Sequence, residues 1–151
     1  MQKKDCIFCK IVKGEIPSTK VWEDKKYVAI LDIFPNTEGM TLVIPKDHYD
    51  SYAFDMPDKS YSELLLTAKK VGKLLDKRLK VSRTAMVMEG MGINHVHVKL
   101  IPLHGIDKHY KEMWNKEERH FDEYPGYIST MLGPKAESAA LQELAKRIRG
   151  K

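Results

Sequence analysis

Two periods of hydrophobic and polar positions run through this chain, and the change from one to the other marks its elements. Thr19–Asp24 and Tyr27–Asp32 read as strands, and Lys25-Lys26 between them makes the turn of a hairpin. Pro35-Asn36-Thr37-Glu38-Gly39 is dense in turn residues, and the β-formers of Met40–Pro45 supply a third strand. From about Pro57 to Lys80 the period becomes 3.6. There Tyr61, Leu64, Leu65, Ala68, Val71, Leu75 and Leu79 form one apolar stripe, with the lysines facing away, so a long helix is predicted. Strands follow near Arg83–Glu89 and His95–Ile101, separated by Gly90-Met91-Gly92. A short apolar opening at Ile7–Val12 precedes the first hairpin. Residues 104–127 are polar and read as a long excursion or lid, and Ala136–Ile148 fits a last amphipathic helix. Antiparallel hairpins against one long helix predict the α+β class.

Composition narrows this picture. A chain of 151 residues and 17.4 kDa is one domain in length, here divided as a main domain over 1–103 and a C-terminal extension over 104–151. Two cysteines make at most one bridge and no apolar leader precedes them, so a cytoplasmic protein without a disulfide framework is expected. The longest apolar runs fall far short of the roughly 20 residues of a transmembrane helix. The net charge of +5 hints at an anionic partner. However, the basic residues cluster on the helix (Lys69, Lys70, Lys73, Lys77, Arg78, Lys80) and at the tail (Lys146, Arg147, Arg149, Lys151), without the interleaved aromatics of a stacking platform. Solvated helix faces account for them better than nucleic acid does.

The chemistry concentrates in Asn94-His95-Val96-His97-Val98-Lys99-Leu100. Residues two apart on a strand share a face and lie about 6.6 Å apart, so His95, His97 and Lys99 project together while Val96, Val98 and Leu100 face the core. Two imidazoles and an ammonium make an anion-binding surface that contains a nucleophile or base. An ordinary half-exposed strand with histidine on its polar face has the same pattern. At the other end, Cys6-Ile7-Phe8-Cys9 admits three readings: a redox pair, half of a tetrahedral zinc site, or two unrelated thiols. The redox use wants a strand before the pair, for which there is little room. A zinc site needs two more ligands, and His48 and His95 each sit at a strand edge or end.

Taken in order, Cys-Ile-Phe-Cys-Lys-Ile, Glu-Ile-Pro-Ser, Val-Trp-Glu-Asp, Ala-Ile-Leu-Asp-Ile-Phe-Pro, Gly-Met-Thr-Leu-Val-Ile-Pro-Lys-Asp-His and His-Val-His-Val-Lys-Leu-Ile-Pro resemble the histidine triad (HIT) family of nucleotide hydrolases and transferases over residues 5–103. The resemblance implies a five-stranded antiparallel sheet with one long helix, here followed by a C-terminal helix, and a homodimer. It implies cleavage at the α-phosphate of a purine nucleotide, such as a phosphoramidate or dinucleoside polyphosphate, through a nucleotidyl-histidine intermediate. His97 then matches the nucleophile, His95 the first histidine of the triad, and Asp32 the acid that holds ribose hydroxyls. Phe8, Ile11, Ile16, Ile30 and Ile33 match the apolar walls around the base. Cys6, Cys9, His48 and His95 match the ligands of a structural zinc in many bacterial members. Backbone amides from Gly90 to Ile93, Gly90 and Gly92 included, stand where phosphate donors are expected.

The chain also departs from the family pattern. Lys99 occupies the third triad position, where it can donate to a phosphate oxygen and lower the pKa of His97 but cannot relay protons as an imidazole does. Met88-Glu89-Gly90-Met91-Gly92-Ile93-Asn94 replaces the usual phosphate loop, and Met40 stands where histidine is common. These changes admit an alternative, a nucleotide-binding or sensing protein with little turnover.

Overall fold

In the computed structural model, residues 3–128 are described, and the chain divides into two compact units, Met1–Tyr110 and Lys111–Lys151. The first unit contains α1 (Ile7–Lys13), β1 (Lys20–Glu23), β2 (Tyr27–Leu31), β3 (Thr41–Pro45), a 3-10 turn at Ala53–Asp55, α2 (Asp58–Leu79), β4 (Thr84–Val87) and β5 (Val98–Pro102). The five strands form one sheet in the order β1-β2-β3-β5-β4, and every neighbouring pair is antiparallel.

Local chemistry accounts for the hairpins. The Asp24 carboxylate accepts from the backbone amides of Lys26 and Tyr27, each at 2.8 Å, which fixes the β1–β2 turn. Between β2 and β3 the Asp32 amide donates to the Met40 carbonyl at 2.9 Å, closing the turn-rich loop.

Both faces of the sheet are covered. Tyr27, Ala29, Val43, Val96, Val98 and Leu100 pack against Leu64, Ala68, Val71 and Leu75 of α2. Their spacing of four, three and four residues is the stripe expected from the sequence, and Tyr61 and Leu79 complete it as half-buried partners. Val28, Ile30, Leu42 and Ile44 point the other way, onto Phe8 and Ile11 of α1. Cover on both sides is why β2 and β3 read as unbroken apolar runs rather than as alternation.

The opening segment Ile7–Val12 is a helix. At seven residues α1 is too short to be stable alone, and burial of Phe8, Cys9 and Ile11 holds it. Gly14, at φ 80°, ends it in the left-handed conformation, and its amide donates to the Ile11 carbonyl at 3.0 Å.

The last strand begins at Val98, three residues later than the His95 start expected from alternation. Before that point the backbone bonds elsewhere: the His95 amide donates to Ile93 and the Val96 amide to the Tyr49 carbonyl. The histidines therefore lie on an irregular lead-in to the strand. In the second unit, residues 111–128 are all exposed. The helix expected over Ala136–Ile148 lies outside the described residues.

Candidate functional site

The face covered by α1 holds the polar groups. Each cross-strand pair of β5 with β3 shares a face, so Lys99, opposite Leu42, stands on the α1 side, and His97 and His95 continue that row off the end of the strand. The Phe8 ring meets both imidazoles edge-on, with centroids 5.1 Å from His97 and 5.8 Å from His95. The two histidines thus project together as their spacing predicts. They are not half-exposed: His95 is fully buried and His97 is 6% exposed.

His95 brings two elements together. Its Nε2 donates to the Pro45 carbonyl at 2.9 Å, which leaves Nδ1 as a lone pair. That Nδ1 lies 3.4 Å from Cys6 Sγ and 3.7 Å from Cys9 Sγ, and His48 Nδ1 lies 3.4 Å from Cys9 Sγ. All four ligand atoms fall within 4.8 Å of one another. A tetrahedral cation with metal–sulfur bonds of about 2.3 Å and metal–nitrogen bonds of about 2.0 Å sets sulfur–nitrogen edges at about 3.5 Å, so the donor set has the size and chemistry of a metal centre.

The surroundings support that reading. His48 Nε2 meets the Asp50 carboxylate at 3.2 Å, so a carboxylate and a carbonyl orient the two imidazoles with Nδ1 inward. Lys3 Nζ (2.6 Å) and Asn94 Nδ2 (3.2 Å) in turn hold Asp50. Burial pushes the Cys9 thiol above its usual range and the His95 imidazole down to about 4. A neutral His95 is the ligating form, and the buried Cys9 thiolate calls for a cation beside it.

His97 is set up differently. Its Nδ1 donates to the His95 carbonyl at 2.8 Å, so Nε2 carries the lone pair. Burial lowers its pKa, and the charge of Lys99 lowers it further, against the His95 carbonyl bond and the carboxylates of Glu89 and Asp32. The result at neutral pH is an unprotonated imidazole with one free nucleophilic nitrogen.

Lys99 is paired. Its Nζ lies 2.8 Å from the Glu89 carboxylate, and both side chains are largely buried, at 27% and 12% exposure. The sequence singled out Lys99 but not Glu89, whose role depends on the β4–β5 register. Val87 pairs with Lys99 at the end of β4, and Glu89, two residues on, reaches back to the Lys99 ammonium.

The remaining residues divide. Phe8, Ile11 and Ile30 are buried in one apolar cluster, with Ile16 and Ile93 packed on its edge. Ile33, expected beside them, is 82% exposed, because the Asp32 carboxylate accepts from the Phe34 amide at 2.8 Å and turns the chain outward there. Gly90 has φ 79°, and a Cβ there would stand 2.6 Å from the Ser51 carbonyl oxygen, so the position demands glycine. Gly92 borders a cleft of about 530 Å³ with Lys3, Lys4, Cys6, His48 and Ile93, and has open space around it. Met40 is buried.

Comparison with known proteins agrees with this architecture. A family model described as HIT domain matches residues 13–106. The chain is 40% identical over 123 residues to a Saccharomyces cerevisiae protein named adenosine 5'-monophosphoramidase, an alignment covering 78% of this chain and 74% of that one. It is 41% identical over 102 residues to an uncharacterized HIT-like protein of Methanocaldococcus jannaschii, covering 64% of this chain and 78% of the relative. A crystal structure of a Streptococcus mutans protein superposes with a TM-score of 0.71 at 31% identity, covering 98% of this chain and 85% of that chain. With its family match spanning more than half its length, the chain belongs to the HIT domain family.

Proposed function

We propose that this protein is a nucleotide hydrolase or transferase that cleaves at the α-phosphate of a purine nucleotide, with His97 as the nucleophile. The observation behind this reading is the His97 ring: buried against Phe8, unprotonated, with Nδ1 tied to the His95 carbonyl and Nε2 left to attack. The yeast relative's name supports an adenylyl substrate with a phosphorus–nitrogen bond.

The step is a displacement at phosphorus. The Nε2 lone pair forms a bond to the α-phosphorus, and the bond to the leaving group breaks; the leaving amine or phosphate keeps the electron pair and takes a proton. Water then attacks the same phosphorus, the phosphorus–nitrogen bond to His97 breaks with its electron pair returning to Nε2, and water's proton passes to solvent, which releases the nucleoside monophosphate and restores the neutral imidazole. Such transfer depends mainly on positioning and on donors aimed at the phosphoryl oxygens. Asp32 holds the ribose, while Phe8, Ile11, Ile16 and Ile30 wall the base. The backbone around Gly90 and Gly92, with Lys99, faces the phosphate.

Cys6, Cys9, His48 and His95 hold a structural zinc in this reading, tying α1 and the segment after β3 to the start of β5. Both cysteines are free thiols, which suits a reducing, cytoplasmic setting. No helix among the described residues is long and apolar enough to cross a membrane. A homodimer is the expected assembly: the edge strand β4 exposes Met86, and α2 exposes Leu66 beside it.

Incubation with a labelled adenosine phosphoramidate tests the chemistry. A nucleotidyl adduct on His97 is expected in a rapid quench, with at least a thousandfold loss of turnover in His97→Ala, as removal of a nucleophile predicts to order of magnitude. A metal-replete protein that forms neither adduct nor product would overturn the enzymatic reading. Metal analysis should find about one zinc per chain, lost in Cys6→Ser. One observation favours a second reading, a nucleotide sensor with little turnover: Glu89 already occupies Lys99, the residue in the third triad position. That reading predicts nucleotide binding that survives His97→Ala, without product from the parent.

A further inference from the structure

The pair formed by Lys99 and Glu89 goes beyond what the triad pattern explains. A carboxylate is an unfavourable neighbour for a phosphate, yet Glu89 is 12% exposed, paired with Lys99 and near enough to His97 for its charge to act there. Its carboxylate accepts a hydrogen bond from Lys99 Nζ at 2.8 Å. The strongest charges acting on His97 include one cation, Lys99, and two carboxylates, Glu89 and Asp32. The ammonium therefore offers donors to a phosphate oxygen without offering net positive charge, because Glu89 cancels it across the ion pair.

We propose that Glu89 is a specificity-determining residue: paired with Lys99, it sets the phosphate position beside His97 to accept a singly charged α-phosphoryl group in preference to a doubly charged one. This rests on the reading of His97 as the nucleophile toward a nucleotide. The substrate class follows from charge. An α-phosphorus that still bears an amine, an ester or a further phosphate carries one negative charge on its own oxygens. The free monophosphate left after hydrolysis carries nearly two at slightly alkaline pH, since its second pKa is about 6. A site without net positive charge discriminates against the second charge. Substrate is then held better than product, and the product's added charge drives it out. Asp32, on the ribose side, adds to the same bias.

The test compares two probes that differ by one charge, adenosine 5'-monophosphate and its methyl phosphate ester, at pH 8. Calorimetric titration of the whole metal-replete protein gives the ratio of their dissociation constants for the parent, Glu89→Gln, Lys99→Met and the double variant. Glu89→Gln unmasks the ammonium and is expected to shift the ratio about tenfold toward the monophosphate. Lys99→Met leaves the carboxylate bare and should shift it about tenfold toward the ester, and the double variant should return to within about threefold of the parent. Both probes meet the same folded fraction, so the ratio is insensitive to partial unfolding. Dissociation constants that rise together with an unmoved ratio, or loss of both ligands in Glu89→Gln, would assign Glu89 a structural role and overturn the inference. A parent that binds neither probe would overturn the nucleotide reading as well, whereas binding by the parent with a ratio unmoved in both single variants overturns the specificity role alone.

Discussion

The two faces of this sheet come from the same alternating strands but meet different partners. On one side α2 lays four buried residues, Leu64, Ala68, Val71 and Leu75, over an apolar floor. On the other side α1, a third as long, covers less of the sheet, and the row His95, His97, Lys99 fills the remainder. The long helix removes apolar surface from water, and stability follows from area. The short one leaves room for groups whose behaviour depends on being buried without being sealed: an imidazole with one free nitrogen, an ion pair and a cluster of sulfur and nitrogen donors. The sheet's α2 face is therefore apolar throughout its contact with the helix, and its α1 face gathers the buried titratable groups.

That division can be broken by substitution. Leu64→Ala on the α2 face should cost about 2–5 kcal/mol, the range for truncating a fully buried leucine. Denaturant unfolding measures this, and metal content and His97 reactivity should be unchanged in the fraction that remains folded. A loss of metal in that folded fraction would mean that the faces are not separable. Next in size, Gly90→Ala should destabilise by about 1–3 kcal/mol, because it combines a left-handed backbone with a collision against the Ser51 carbonyl. Gly92→Ala, with open space around it, should leave the melting temperature unchanged.

A further effect is confined to alkaline pH. Burial raises the Tyr27 phenol from its usual 10 to about 12. The unfolded chain then loses this proton first, so its contribution to stability is complete below pH 10 and declines as pH rises toward 12. In Tyr27→Phe that decline should be shallower in a melting series across the window; an identical slope would show that Tyr27 is not the group responsible.

Much of this was legible in the residues themselves. The 3.6-residue stripe of α2 appears as spaced, and so do the strand cores at Tyr27–Leu31 and Thr41–Pro45. Cys6, Cys9, His48 and His95 converge as the family resemblance implies. Other features depend on tertiary context and leave little local trace. A seven-residue helix is too short to display a period, so α1 read only as an apolar opening, and its stability comes from what Phe8 and Ile11 touch. Glu89 reads as the end of a strand, whereas β4 stops at Val87 and the Glu89 carboxylate turns to pair with Lys99. Ile33 follows the family's apolar pattern, but the Asp32 turn sends it to solvent. The late start of β5 has the same origin, because the backbone at His95 and Val96 answers to Ile93 and Tyr49 rather than to a neighbouring strand.

His95 belongs to both parts of the site through different atoms. Its ring nitrogen faces the cysteines, whereas its main-chain oxygen fixes the proton on His97. Mutation can change a ring but not a carbonyl. Any residue at position 95 that keeps the backbone path still holds His97 Nδ1 and leaves its Nε2 free. A single substitution at position 95 can therefore remove a donor from the cluster and leave the His97 tautomer in place, so the two features are separable.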